Sequence, residues 1–435
     1  MDNKKIHIFG GSTNFHIRNH FALTAPAGGT TARKLRHILK WNFSAPMDIV
    51  VHLTRSAKGA FIPELDGNYF AKEGISNEAP DTNEEMSALV DKVVADPTTK
   101  IIIFSAAICD YDGYVSDGPI PTATGKHETR LKSREEAPSV NLKLFTGEKI
   151  ISRIRRQRKD IFLVAFKATC GFTEDQQYLA GLHLLKEASA NLVLANDTKT
   201  HLNMVITPEE ARYHVTTNRE EALKGLAEMA LLRSHLTFTR STVVAGTPVP
   251  WTSPEVPDTL RTVVDYCIGK DAYKPFRGST VGHFAAKISD NEFLTSIRKT
   301  NFNDLSKNGL VRIKTDGPDS VLAYGAKPSV GGQSQRIVFH DHQDYDLIVH
   351  FHSPLKKNHR DAVPIASQRE VECGSHQCGR NTSNNLRKFG NLSCVMLDNH
   401  GPNIVFHRSI DPAEVIDFIE ANFELSEKTG GYVSG

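Results

Sequence analysis

Six short apolar runs constrain this chain more than any other feature. They are "KIHIFGG" (5–11), "DIVVHLT" (48–54), "KIIIFSAAI" (100–108), "DIFLVAFKA" (160–168), "NLVLAND" (191–197) and "MVIT" (204–207). Each is nearly unbroken in hydrophobicity and rich in Val and Ile. Strands buried on both faces have that texture, which argues for a parallel sheet. Helical stretches lie between the runs, at 84–95 and 174–188, and a last helix follows at about 219–234. The alternation predicts an α/β fold: a doubly wound, mostly parallel Rossmann-like sheet filling residues 1–240.

Residues 241–258, "STVVAGTPVPWTSPEVPD", carry four prolines and no regular pattern. They are expected to be a Pro-rich linker. Beyond them, 259–435 has mixed short strands, loops and many histidines, consistent with a second α/β domain. At 435 residues the chain can bury two separate cores.

The formal net charge is +2, which gives no global argument for nucleic acid or an acidic membrane as partner. Basic clusters exist, such as "RIRRQRK" (153–159), which admits Ile154 at helical spacing and is expected to be a solvated helix face. No apolar run approaches the length of a membrane span, and the apolar part of the N-terminus is short for a signal peptide. Small-molecule substrates are therefore expected, with no nucleic acid and no membrane. The six cysteines are scattered in mostly apolar contexts, so reduced thiols and a cytoplasmic location are the expectation.

Polar residues collect at the carboxyl ends of the first-half strands, where open α/β sheets bind ligands. Gly10-Gly11-Ser12-Thr13 follows the first strand. A second pair, Gly28-Gly29, precedes a helix start at Thr30 or Thr31. Such loops can present amides to a phosphate, and they can equally be tight turns. Asp110, Lys167, Asn196 and Asp197 stand at later strand ends, and Arg130 and Lys132 lie two apart in "ETRLKS".

The order "GGST", "GG", "SAAICDY" (105–111), "RLKS" (130–133), "VAFKAT" (164–169), "LVLAND" (192–197) resembles phosphopantothenate–cysteine ligase over residues 4–234. The resemblance implies carboxylate activation by CTP or ATP with Mg²⁺, followed by amide ligation to cysteine. It further implies nucleotide contacts from Gly10, Gly11, Ser12, Thr13, Gly28, Gly29, Ala107, Asp110, Phe166, Lys167, Asn196 and Asp197. Lys132, Arg130 and Thr24 would be the catalytic residues, with cations offsetting charge on the triphosphate. The chain departs from that pattern in "FALTAPAGG" (21–29), which puts Thr24 near the family's functional asparagine. "FKATC" (166–170) also lacks the family's glutamate.

In the second half, "DYDLIVHFHSP" (344–354) sends an apolar strand into His350-Phe351-His352. Alternation puts His350 and His352 on one face. His400 follows another apolar run, in "VMLDNHG" (395–401). Three imidazoles meet the minimum for a catalytic zinc site, although two histidines at a strand end can simply meet solvent. "ECGSHQCG" (372–379) offers a competing set in Cys373, His376 and Cys378 and is expected to be a loop with reduced thiols.

The pieces "GHFAAKI" (282–288), "AKPSVGGQ" (326–333), "DLIVHFHSP" (346–354) and "MLDNHG" (396–401) resemble the class II aldolase/adducin family over about 260–425. That resemblance implies Zn²⁺ or another divalent metal on His350, His352 and His400, with His283, Ser296, Arg298 and Ser329 near the substrate. The ion would act as a Lewis acid in carbon–carbon cleavage, epimerisation or decarboxylation. Gly331 stands where the family has its acid/base glutamate, so either another group such as Glu372, Asp341 or Tyr432 moves the proton, or the domain does different chemistry, or it only binds. Members of both families assemble as oligomers, so a homo-oligomer is expected. The alternative is that only one half is catalytic, the aldolase-like half being a metal-binding or scaffold module.

Overall fold

The computed structural model describes residues 4–59, 74–116, 123–128, 130, 140–359 and 362–429, with backbone only over 330–334. The chain divides into two compact units. The first comprises 1–206 and 214–234; the second comprises 207–213 and 235–435. The stretch 207–213 thus belongs with the second unit although first-unit residues flank it in sequence.

The main sheet of the first unit has seven strands among the described residues: β1 Lys5–Gly10, β2 Asp48–Leu53, β3 Thr99–Phe104, β4 Phe162–Thr169, β5 Leu192–Asp197, β6 Asn203–Ile206 and β7 Arg212–Thr216, of which Arg212 and Tyr213 fall in the 207–213 stretch. Their order across the sheet is β7-β6-β5-β4-β3-β1-β2. The pairs β1–β2, β1–β3, β3–β4 and β4–β5 are parallel, and β6 runs antiparallel to β5. Ile101, Ile102 and Ile103 are all buried, as expected of a strand covered on both faces.

Helices α1 Thr30–His37, α2 Asn83–Ala95, α3 Glu174–Ala188 and α4 Arg219–Arg233 accompany this sheet. Their starts follow local chemistry. Thr82 accepts from the Glu85 amide, Asn218 accepts from the Glu220 and Glu221 amides, and Thr173 and Gln176 form a reciprocal capping box. Residues 153–159 behave as a structural helix face. Ile154 is buried, and Arg153, Arg156 and Arg158 pair with Asp91, Glu148 and Asp160.

The second unit contains a ten-stranded sheet: β8 Arg240–Val244, β9 His283–Ser289, β10 Glu292–Ser296, β11 Leu310–Thr315, β12 Ser320–Tyr324, β13 Leu347–His350, β14 Ile365–Ala366, β15 Arg387–Phe389, β16 Leu392–Leu397 and β17 Gly401–Phe406. The order is β8-β12-β11-β10-β9-β13-β17-β16-β14, with β15 paired to β16. Most pairs are antiparallel; β8–β12 and β14–β16 are parallel. Helices α5 Asp258–Gly269, α6 Val330–Asp341, α7 His376–Asn385 and α8 Pro412–Asn422 complete the unit.

Alternation along these strands buries both faces. Phe284, Ala286, Leu347, Val349, Ile404 and Phe406 join a large core with Leu260, Val263 and Ile419 from α5 and α8. Ala285, Ile348 and Val405 join a second core with Val338 and Phe339 of α6. His350, two residues after Ile348, therefore belongs to the α6 face.

Residues 241–258 are not a linker. β8 hydrogen-bonds along β12, the Val249 amide and carbonyl both bond Leu310, and Val249, Trp251 and Val256 are buried. The apolar residues between the prolines pack into the core.

Candidate functional site

The three histidines of the second unit converge. Ring centroids lie 5.1 Å apart for His350–His352, 4.6 Å for His350–His400 and 4.7 Å for His352–His400. One ligand atom from each falls within 4.8 Å of the others. Tetrahedral zinc at nitrogen distances of 2.0–2.1 Å would need about 3.3 Å between ligand atoms, so the approach required is of rotamer size. All three side chains are buried. No other cluster of three histidine, cysteine or carboxylate ligands forms among the described residues.

Each residue reaches the site for a local reason. β13 ends at His350, and His352 lies two residues beyond it, its ring still beside that of His350. His400 closes the turn between β16 and β17, immediately before Gly401. Gly401 has φ 154°, and a Cβ there would sit 2.0 Å from the Phe351 carbonyl oxygen. Only glycine lets β17 approach the His350–His352 segment this closely.

His350 carries the clearest metal-ligand signature. Its Nδ1 lies 2.8 Å from the Pro402 carbonyl, which can only accept, so Nδ1 holds the proton. Its Nε2 is buried without a hydrogen-bond partner. A carbonyl that fixes the tautomer leaves the opposite nitrogen's lone pair for a metal. Burial pushes the His350 pKa down to about 4, partly offset by Pro402, which keeps the ring neutral at ordinary pH.

His283 lies directly across from His350 in the β9–β13 register, and the two rings stack at 4.5 Å. Its Nδ1 bonds the Gln335 side-chain amide, whose oxygen accepts from Thr295 Oγ1 at 3.3 Å. Burial, and then the neighbouring His350, push the His283 pKa well below its ordinary value. Ser329, at the start of α6, donates its amide to the Ser296 carbonyl at 2.9 Å. The Ser296 hydroxyl is buried without a partner. His283 and Thr295 thus face α6; Ser296 meets the start of α6 through its backbone carbonyl, its side chain alternating to the other face of β10, and the Arg298 side chain is exposed.

Gly331 falls in the first turn of α6 and has no side chain to move a proton. Asp341 is engaged by the Ser383 hydroxyl at 2.7 Å and by His340. Glu372 is buried, and Tyr432 lies outside the described residues. The Cys373–His376–Cys378 set does not assemble into a ligand shell. His376 bonds Thr239 Oγ1 at 2.8 Å, and Cys378 Sγ receives the Gln368 amide at 3.4 Å. None of the six cysteines forms a disulfide.

In the first unit, the Ser12 and Thr13 amides are engaged within the chain. The chain goes on pairing after β1: Ser12 N donates to Thr54 Oγ1 at 3.0 Å, Thr13 N donates to Ala107 O at 3.1 Å, and Ala107 N donates to Gly11 O at 2.9 Å. Gly11 is required by packing, since it has φ 96° and a Cβ would lie 2.0 Å from Thr54 Oγ1. Asp197 is equally engaged. It accepts from the amides of Gly171, Phe172, Lys199 and Thr200 and from Thr169 Oγ1. Burial alone would raise its pKa; those bonds outweigh burial and hold it far below the carboxylate range.

Other residues remain available at the sheet edge. Gly29, at φ 74°, begins α1, whose first turn has no side-chain cap and no acidic residue. Asp110 is exposed, Asn196 and Lys167 are half-buried on adjacent strands, and Gly28, Thr24 and Arg130 are exposed. Lys132 lies outside the described residues. Sequence reading missed Arg219, the first residue of α4. Its guanidinium lies 5.8 Å from the Phe166 ring centroid and donates to Asn203 Oδ1 at 2.8 Å and Thr31 Oγ1 at 3.4 Å. Burial lowers its pKa to about 10. The available signal was an arginine directly after the Asn218 cap.

Residues 57–230 match the family described as the DNA/pantothenate metabolism flavoprotein C-terminal domain. The chain is 28% identical over 119 residues to the coenzyme A biosynthesis bifunctional protein CoaBC of Thermococcus kodakarensis. That alignment covers 27% of this chain and 26% of the relative, so the chain spans about a quarter of the relative's length. Among solved structures, the DNA/pantothenate metabolism flavoprotein of Streptococcus pneumoniae is 20% identical with a TM-score of 0.39, covering 51% of this chain and 96% of that one. L-fuculose 1-phosphate aldolase is 16% identical with a TM-score of 0.29, covering 38% and 82%. No described helix is long and apolar enough to cross a membrane.

Proposed function

We propose that the chain is a small-molecule enzyme that joins two chemistries. The first unit would activate a carboxylate with a nucleotide for amide ligation, as in phosphopantothenoylcysteine synthesis. The second would hold a divalent metal and act on a carbonyl or hydroxy-acid substrate. The match over 57–230 and the likeness to CoaBC support the first reading. The buried His350 Nε2, facing two further imidazoles, carries the second.

A divalent ion held by His350, His352 and His400 would supply Lewis acidity toward a substrate oxygen. The chain's own groups do the rest. Pro402 fixes the His350 tautomer through Nδ1, and Gln335 fixes the His283 ring beside it. The start of α6 would offer backbone donors to an anionic end of the substrate. Gly331 provides no acid or base, so proton transfer in this unit must use a different group from the family's glutamate.

In the first unit, α1's uncapped first turn and the Arg219 guanidinium would face the nucleotide phosphates, with Lys167 and Asn196 on the adjoining strands. Arg219→Met should then weaken nucleotide binding about tenfold, a loss of about 1.4 kcal/mol. Pyrophosphate release from CTP or ATP, with 4′-phosphopantothenate and cysteine present, tests the ligation. No release with either nucleotide would refute it. The alternative, a metal-binding second half without turnover, is favoured by Gly331. It predicts bound metal but no metal-dependent conversion of sugar-phosphate or hydroxy-acid substrates.

A further inference from the structure

The metal centre is backed by a segment encoded far from it. Thr429 donates its amide to the His352 carbonyl at 3.0 Å and its hydroxyl to the His400 carbonyl. One residue thereby ties the backbones of two of the three histidines. The strand-like stretch leading to it lies along 354–356: Glu424 N donates to Pro354 O at 2.9 Å, and Lys356 N donates to Asn422 O at 2.8 Å.

The next residue back, Lys428, forms an ion pair with Glu210, and each side chain is only 2% exposed. Glu210 belongs to the 207–213 stretch that groups with the second unit. It holds a left-handed φ of 68°, which a glutamate adopts only where its surroundings demand it. Two further contacts from the same stretch go to the same region. Glu209 accepts from the Cys373 amide, and Tyr213 donates to the Asp398 carbonyl at 3.4 Å, two residues before His400.

From this arrangement we infer that Glu210 is a positioning residue of the His350/His352/His400 centre. It acts through Lys428, which anchors Thr429 against the two histidine carbonyls. A buried ion pair is a poor general source of stability, and breaking one partner leaves an uncompensated charge. Its use here is geometric: it fixes where the clamp sits. Outer partners that orient a metal ligand's ring change metal affinity 10–100-fold when removed, and a contact that fixes where two ligand residues' backbones sit acts on the same geometry. The inference rests on the metal reading above. It adds that residues from the first half of the sequence set the metal site's affinity.

The test is Co²⁺ titration of the full chain, followed by visible ligand-field absorption. The wild type should bind one Co²⁺. Glu210→Gln should weaken binding at least tenfold and alter the band pattern, whereas Lys428→Arg, which keeps the charge, should stay close to wild type. Glu210→Gln with wild-type affinity and spectrum would overturn the inference. If that variant does not fold, Thr429→Val removes one hydroxyl at nearly constant volume. It should weaken binding severalfold, and an unchanged titration would again overturn the inference. A wild type that binds no Co²⁺ would instead overturn the metal reading itself.

Discussion

Acidification should weaken the first unit through two histidines that touch in its core. His7 on β1 and His52 on β2 are each about 95% buried, with Nδ1 of His7 2.9 Å from Nε2 of His52. Their rings stack at 5.2 Å, and Phe9 covers His52 at 4.8 Å. Burial is the main cause that lowers the His7 pKa to about 4 and the His52 pKa to about 3, with His7 adding to the shift of His52. Unfolded, both would titrate near 6.5. The folded state therefore binds fewer protons between about pH 6.5 and 4. Stability is fully present above 6.5 and is lost as pH falls through that window.

Between pH 7.5 and 5.5 each neutral imidazole lowers the unfolding free energy by about 1.3 kcal/mol, so the pair accounts for about 2.6 kcal/mol. Pulse proteolysis in urea follows each unit through its own fragments. The first unit's midpoint should drop across this range, and His52→Leu should remove about half of the drop. A first unit whose pH dependence is the same in wild type and His52→Leu would refute the reasoning.

Two further predictions concern local geometry. Gly401→Ala should abolish metal binding and lower the second unit's stability by roughly 2–4 kcal/mol, because the Cβ meets the Phe351 carbonyl and φ enters a strained region. Metal content and urea midpoints read both effects. Thr173→Ala, which removes half of the α3 capping box, should cost the first unit about 1 kcal/mol and leave the second unchanged by the same proteolysis assay.

The parts legible in sequence are those where one local rule governs. Strands buried on both faces spell unbroken Val/Ile runs, so β1 to β5 and the helix at 174–188 could be read directly. The histidines were visible because each follows an apolar strand, and His400 because a glycine that permits close approach comes next. What escaped depends on contacts distant in sequence. The amides of Ser12 and Thr13 are taken by Thr54 and Ala107, which no local pattern announces. Prolines at 248–257 suggested a linker, yet the valines and Trp251 between them pack into the large core of the second unit. The 207–213 stretch looks like a hairpin of the first sheet, and only the fold shows its glutamates turned to Lys428 and Cys373.

X-ray absorption of the zinc-loaded full chain tests the central claim most directly. The account predicts one zinc per chain with imidazole nitrogen scattering at about 2.0 Å, lost when His350, His352 and His400 are replaced by alanine. Sulfur scattering at about 2.3 Å, or zinc retained by the triple variant, would place the metal elsewhere and contradict it.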